Sequence, residues 1–583
     1  MKTFDIFVMP FMIGLVFIIG YTIRAYYRWL MNLKPKDVVK LRKNFWKKLP
    51  VSIKEIFMES LLHRKIFKVN PLLGYMHMCF AFGWFLLIVI GNIQSHLYSG
   101  DIINPPYYPI FYKFFEAYPK PFFSYKVFEF IMDALLLMLI SGVLLAYFKR
   151  VRSQVLGMRR TTSHSPADRF ALTALWLIFP FRLFAESFTS HHRGEFLTGT
   201  LYRFFSEYLP VYDLAYPFWW AYSIALGVFF CSLPFSRYMH IVTEPLLIIL
   251  RNVGIKTEKE FKSFTDIELH ACSRCGICID TCQMASAAEI RNVQAVYFLR
   301  NTRDGNLKPE LANHCLMCGR CNEICPVGLD QVSLRMIKRK DFSTATVDFG
   351  YVEPQPVENA GVVYFAGCMT HLTPTIKQAM LKIFRSANEQ VNFIDEDGSI
   401  CCGRPMILSG NIDSGLNLMR KNKELIEKTG AKTLVTSCPI CYRTFVEDYD
   451  LDMKVMHHTQ YINELIEQKR INPAKRELKV VYHDPCELGR GMGIYDEPRT
   501  LLSSVASLQT SKFEKQDALC CGGCIGNSQI QYERRELITR DVIRKMSVDS
   551  PDQIVTSCPL CKKTLNRYAE HAVDISQVVA DSL

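Results

Sequence analysis

Five long apolar stretches occupy the first 233 residues: roughly Phe4–Trp29, Pro71–Ile93, Val127–Phe148, Phe170–Phe188 and Pro217–Leu233. Each approaches the ~20 residues a helix needs to cross the hydrocarbon core. A water-soluble core rarely needs five such runs, so an all-α bundle of five transmembrane helices is expected. Residues 4–29 do not read as a cleavable signal: the basic residues follow the apolar run instead of leading it.

The connecting loops set an orientation. Residues 22–68 carry 13 Lys/Arg against 3 acids, and 149–169 carry 6 against Asp168 alone. Residues 94–125 hold two of each sign, and 186–216 hold two basic and four acidic residues. The positive-inside rule then puts the amino terminus outside a cytoplasmic (inner) membrane and everything after the fifth span in the cytoplasm. The net charge of +13 is thus largely a topology signal, and no nucleic-acid partner is expected.

Histidines inside spans are costly and are functional candidates by default. His77, in GYMHMCFAFGWFLL, lies about two turns into the second span, and His240, in PFSRYMHIVTEP, lies just past the fifth. Both fall at the cytoplasmic side, and two imidazoles at one depth suit a bis-histidine haem b. His96, His191 and His192 fall at the outer face; they bracket a second haem, line a quinone pocket or sit solvated in loops. His63, in a basic amphipathic stretch, is expected at the surface.

Of the 21 cysteines, 19 follow residue 271. Cys272-x2-Cys275-x2-Cys278-x3-Cys282 is followed by Cys315-x2-Cys318-x2-Cys321-x3-Cys325-Pro326. This is the two-cluster ferredoxin run, whose fourth cysteine serves the other cluster. One cubane [4Fe-4S] cluster is expected on Cys272, Cys275, Cys278 and Cys325, the other on Cys315, Cys318, Cys321 and Cys282. Gly276, Gly319 and Gly328 suit the tight loops. Gln283 stands where proline often follows the fourth cysteine. A cytoplasmic setting argues against disulfides, and the spacing differs from paired zinc knuckles. The 32 residues between Cys282 and Cys315 read as an insertion with a helical AAEIRNVQAVYFLRN segment.

Residues 361–583 are duplicated. VVYFAGCMT (362–370) matches VVYHDPCELG (480–489), Cys401-Cys402-Gly403 matches Cys520-Cys521-Gly522, and TLVTSCPICYRTF (433–445) matches QIVTSCPLCKKTL (553–565). Each copy alternates strands with helices, which implies two α/β lobes with mainly parallel sheets. The cysteines fall at strand ends, where open α/β sheets build sites. Five thiols per copy exceed what a zinc or cubane site takes, and a Cys-Cys doublet suits bridged irons. The expected domains are 1–255 (transmembrane), 256–350 (ferredoxin-like, two clusters), 351–470 and 471–583 (cysteine-rich lobes).

The patterns CX32CCGX34CXXC and CX33CCGX35CXXC, with HDPCELGRGMGIYDEPR, resemble the cysteine-rich motifs of heterodisulfide reductase-like iron–sulfur proteins. The membrane half resembles the cytochrome b subunit of that enzyme and the gamma subunit of respiratory nitrate reductase, with His77 and His240 matching haem ligands. The domain order also resembles membrane electron-transfer-flavoprotein:menaquinone oxidoreductases. The resemblance implies a noncubane [4Fe-4S] cluster on Cys368, Cys401, Cys402, Cys438 and Cys441, and another on Cys486, Cys520, Cys521, Cys558 and Cys561. Cys524 departs from the usual glycine; it is a spare ligand, a redox thiol or a small buried residue. His483, beside Cys486, either supplies a proton or holds its loop by a hydrogen bond. The expected function is an oxidoreductase exchanging electrons between menaquinone and a cytoplasmic couple, either a disulfide substrate or an electron-transfer flavoprotein. No GxGxxG motif or phosphate loop is present, so a flavin would belong to a partner.

Overall fold

A computed structural model describes residues 4–99, 104–116, 125–152, 164–189, 195–257, 260–343, 360–525 and 529–583. The chain divides into two compact units: Met1–Thr257, Lys262–Ile277 and Cys325–Leu329 form the first, and Glu258–Phe261, Cys278–Ile324 and Asp330–Leu583 the second.

Among the described residues, the first unit contains five helical segments long and apolar enough to cross a membrane: Ile6–Met31, Pro71–Ser99, Tyr125–Val151, Pro166–Thr189 and Val211–Phe235. Their outward side chains, among them Ile13, Val16, Ile23 and Leu144, are more than half exposed, as a lipid-facing surface requires. Without a hydrophobic drive between helices, close approach of small residues holds such a bundle. Gly14 of the first span meets Gly227 of the fifth so closely that a Cβ on Gly14 would lie 2.8 Å from the Gly227 Cα. Buried ion pairs tie the other spans. Lys113, on the short helix Tyr108–Phe115, reaches Glu129 at 2.9 Å and Glu186 at 3.2 Å, and Glu186 also pairs with Arg182 at 2.6 Å.

Two π-helical turns interrupt the helices around His63 and His77, at Ile56–Leu61 and Cys79–Gly83. They lie two residues before His63 and two after His77. Such turns recur at functional sites because they re-aim neighbouring side chains.

The second unit carries two four-stranded sheets. Strands β1 (Val362–Phe365), β2 (Val391–Phe393), β3 (Thr433–Thr436) and β4 (Lys454–His457) lie in the order β2-β1-β3-β4. Strands β5 (Lys479–His483), β6 (Ser507–Gln509), β7 (Gln553–Thr556) and β8 (Ala572–Asp574) repeat it as β6-β5-β7-β8. Every pairing is parallel, and Val362 opposes Thr433 as Val480 opposes Gln553. Central strands of parallel sheets are buried on both faces, which explains their unbroken apolar sequence. One core joins the lobes through Tyr364, Val435, Tyr482 and Val555. The insertion between Cys282 and Cys315 is helical only over Ala295–Arg303 in the stretch expected to form one long helix. Glu289 and Asn292 adopt positive φ ahead of it, which breaks the helix expected to start earlier.

Candidate functional site

The first unit encloses a cavity of about 610 Å³ lined by four histidines, His63, His77, His164 and His240, together with Lys149, Arg150, Arg237, Glu244 and Cys275. The local helix geometry fixes two of the rings. His77 donates from Nδ1 to the Leu73 carbonyl at 2.8 Å, and His240 from Nδ1 to the Arg237 carbonyl at 2.7 Å. A carbonyl only accepts, so each Nδ1 carries the proton and each Nε2 the lone pair. That is how proteins prepare imidazoles as metal ligands.

His63 is not at the surface as expected. It is only 9% exposed, adopts φ 52°, and packs its ring edge-on to His77 at 5.5 Å between centroids. Burial pushes its pKa down to about 4. The amphipathic pattern around it misled because the turn at residue 63 is left-handed, which swings the ring inward. Sequence reading also passed over Glu244, one turn after His240; burial raises its carboxyl to about 7. His96 lines a separate cavity of about 340 Å³, where its Nδ1 lies 3.2 Å from the Asn104 amide nitrogen. His191 and His192 lie outside the described residues.

In the same unit, Cys272, Cys275 and Cys325 gather. Burial, with the Cys325 and Cys275 thiols nearby, pushes Cys272 up to about 12. Arg274, at φ 55°, bonds the buried Asp168 at 2.6 Å, and Asp168 also accepts from the Arg237 backbone N–H at 2.7 Å. Arg251 holds the Cys325 turn through the Val327 carbonyl at 2.9 Å.

In the second unit, Cys282 shares its surroundings with Cys315 and Cys318, and Cys321 faces all three. The loop glycines of both units, Gly276, Gly319 and Gly328, adopt positive φ. Gln283 is explained as well. Its amide nitrogen donates to the Cys520 carbonyl at 3.1 Å, and its amide oxygen accepts from the Cys520 N–H at 2.7 Å. Proline's ring could do neither.

Each lobe strings its five thiols in one order. Cys368 contacts Cys401, which contacts Cys402, then Cys441, then Cys438. Cys486, Cys520, Cys521, Cys561 and Cys558 repeat that chain. Hydrogen bonds from Cys368 and then Cys402 hold Cys401 down at about 3. Cys520 has one further partner, Cys318, whose pKa it lowers to about 5. Behind each line of thiols, a tyrosine of the central strand bonds the serine of SCP: Tyr364 to Ser437 at 2.7 Å and Tyr482 to Ser557 at 2.6 Å. The repeated VVY and TSC segments are the sequence trace of these pairs.

The glycine of each Cys-Cys-Gly adopts φ 83° or 89°, and a Cβ on Gly522 would lie 3.0 Å from the Arg535 carbonyl. Gly522→Ala should therefore cost the second lobe about 1–3 kcal/mol. All six tryptophans precede residue 233, so faster limited proteolysis of the carboxy-terminal unit is the fitting measurement, not fluorescence.

His483 is buried with both ring nitrogens engaged, Nε2 with the Leu519 carbonyl at 3.2 Å and Nδ1 with the Thr556 hydroxyl at 3.4 Å. It fastens the strand end beside the Cys486 loop. Asp484 takes a two-pronged pair from Arg499, both contacts 2.8 Å, which accounts for the acid and the last arginine of HDPCELGRGMGIYDEPR. Cys524 is half-buried with its Sγ 3.8 Å from the Cys315 carbonyl, outside both thiol chains.

Residues 362–446 and 480–566 each match the cysteine-rich domain family known as CCG, and residues 268–329 match the 4Fe-4S dicluster domain family. The chain is an iron–sulfur oxidoreductase assembled from these domains behind five apolar helices. It is 26% identical over 342 residues to a subunit of the dihydromethanophenazine:CoB--CoM heterodisulfide reductase from Methanosarcina mazei, covering 56% of this chain and 78% of that one. It is 28% identical over 341 residues to a subunit of the fumarate reductase (CoM/CoB) from Methanothermobacter marburgensis, covering 51% and 67%. It is 21% identical over 457 residues to EtfAB:quinone oxidoreductase of Syntrophomonas wolfei, covering 59% and 63%.

Proposed function

We propose that the protein exchanges electrons between membrane menaquinone and a redox couple in the cytoplasm. Residues 1–255 form the membrane part with the amino terminus outside, 256–350 the dicluster part, and 351–470 and 471–583 the two lobes. The observation that carries the reading is the histidine cavity. Its volume of about 610 Å³ and its two imidazoles with Nδ1 committed to backbone carbonyls fit a haem b, and Cys275 stands in the same wall. His77 and His240 are the residues that would hold it.

Cys272, Cys275, Cys278 and Cys325 would hold one cubane, and Cys282, Cys315, Cys318 and Cys321 the other. The two five-thiol chains would hold noncubane clusters. When bound, haem and clusters carry electrons singly, which suits a chain that splits two-electron quinol chemistry. The protein's own part is to bury the thiols, to fix the imidazole tautomers, and to hold the loops through Asp168, Gln283 and Arg490. If the cytoplasmic couple is a disulfide, its cleavage consumes two electrons and two protons and releases two thiols, one sulfur facing each lobe.

A second reading is a conduit to an electron-transfer flavoprotein. The similarity to an EtfAB:quinone oxidoreductase and the lack of a dinucleotide motif favour it. Pull-down from native membranes, then reduction assays with the captured protein and with disulfides, separates the two.

Cys275→Ser and Cys318→Ser should each lower bound iron by the four atoms of one cubane while membrane insertion persists, because backbone hydrogen bonding within the spans does not depend on clusters. Unchanged iron in both variants would refute the dicluster assignment.

A further inference from the structure

Four arginines surround the loop of Cys282, Cys315, Cys318 and Cys321, and all bond only to neutral backbone carbonyls. Arg490 donates from Nε to the Cys318 carbonyl at 2.8 Å and from Nη1 to Ala518 and Gln516, at 2.8 and 3.2 Å, while its Nη2 is buried with no partner. Arg339, 1% exposed, bonds the carbonyls of Ala312, Asn313, Cys315 and Leu408. Arg335, 2% exposed, bonds those of Leu311 and Val293 and faces Cys321. Arg320 bonds that of Thr281 at 2.8 Å and faces Cys318 and Cys282.

Among the described residues none of the four has a carboxylate at ion-pair distance; Asp517 acts on Arg320 only from farther away. The loop of Cys272, Cys275 and Cys325 differs. Arg274 pairs with Asp168 at 2.6 Å, Arg237 shares that carboxylate at 4.0 Å, and Arg251 pairs with Glu55.

Buried cations without counter-charge are costly, and the compensating anion must come from what the loop binds. A cubane on four thiolates carries two negative charges when oxidised and three when reduced. A shell of uncompensated positive charge favours the more negative form, and net charge and hydrogen bonds to sulfur are what set such potentials. Resting on the cluster assignment above, we propose that the site of Cys282, Cys315, Cys318 and Cys321 has the higher reduction potential of the two dicluster sites. One electron shared by the pair then resides there, beside Cys520 of the second lobe, with which Cys318 is in thiol contact. The step is one electron moving between clusters, with no bond formed and no proton transferred.

The test is a mediated redox titration of the full-length protein in detergent, followed by electron paramagnetic resonance. The cubane signal that survives in Cys275→Ser should be reduced with an equilibrium constant at least tenfold larger than the signal that survives in Cys318→Ser, which is 59 mV for one electron. Arg490→Gln should lower the potential of the former signal towards the latter, and Arg490→Lys, which keeps the charge, should leave it near native. If Arg490→Gln fails to load iron, Arg320→Gln, at a half-exposed site, replaces it as the charge-removing variant. Equal or reversed potentials, or a Gln variant that is iron-replete and unshifted, overturn the proposal. Failure of the cluster assignment itself looks different: neither Cys variant would lose a signal.

Discussion

Cys521→Ala should remove or convert one cluster's worth of iron and slow exchange with the proposed cytoplasmic partner by orders of magnitude. Cys521 is 2% exposed and is the middle link of its lobe, touching Cys520 on one side and Cys561 on the other. Taking out this sulfur leaves Cys486 and Cys520 separated from Cys561 and Cys558. Metal sites depend on ligand number and geometry, so what binds afterwards cannot be the native group. The thiol chain of the first lobe and all eight dicluster cysteines keep their neighbours, so the rest of the iron should stay. The quinol-dependent change in haem absorbance should also stay native, because the histidine cavity lies wholly in the first unit. Cys524→Ala is the matched control. Its thiol lies outside the chain, and iron content should not change. Stopped-flow measurement of haem absorbance, triggered from the quinol side and then from the partner side, separates the two halves of the path. Native exchange with the partner in Cys521→Ala would mean that the duplicated region is not the working end.

What could be read ahead of the fold follows from how local each constraint is. A span must be long and apolar whatever it packs against, and the five runs agree with the five helices to within six residues at every end. The central strands were visible because burial on both faces demands VVYF, TLVT, VVYH and QIVT. The edge strands Val391–Phe393, Lys454–His457, Ser507–Gln509 and Ala572–Asp574 were not, since three or four residues of mixed burial make no distinct pattern. The thiols of each copy were legible in number and spacing, but not their order of contact. The least legible features join residues far apart. Gln283 looked like a minor substitution until it met Cys520, 237 positions away. Arg339 and Arg490 carry no sequence signal of their own, and only tertiary structure surrounds them with carbonyls. His63 was misplaced because its neighbours are basic and amphipathic, while a left-handed turn decides where its ring goes.

His77→Ala and His240→Ala should each abolish the low-spin b-type haem spectrum that the proposed function expects of the purified protein. The effect should be a complete loss of the reduced-minus-oxidised band, because an alanine removes one of the two imidazoles that would hold the haem. The third imidazole makes the test discriminating. His63 packs edge-on to His77 at 5.5 Å between ring centroids, so proximity alone does not choose the pair. Hydrogen bonding to the backbone does not choose it either, since His63 also bonds a carbonyl four residues back, that of Glu59; the choice of His77 with His240 rests on their match to the haem ligands of the resembled cytochrome b subunit. His77 and His240 each spend Nδ1–H on a carbonyl three or four residues back in the chain, which fixes both ring orientation and the nitrogen that carries the lone pair. His63→Ala should therefore keep a bis-histidine spectrum at full intensity, altered at most by the space it leaves beside His77. A spectrum lost in His63→Ala but retained in His240→Ala would transfer the second ligand to the left-handed turn at residue 63. Two haems per chain would bring His96 back as a ligand, with its partner sought at His191 or His192.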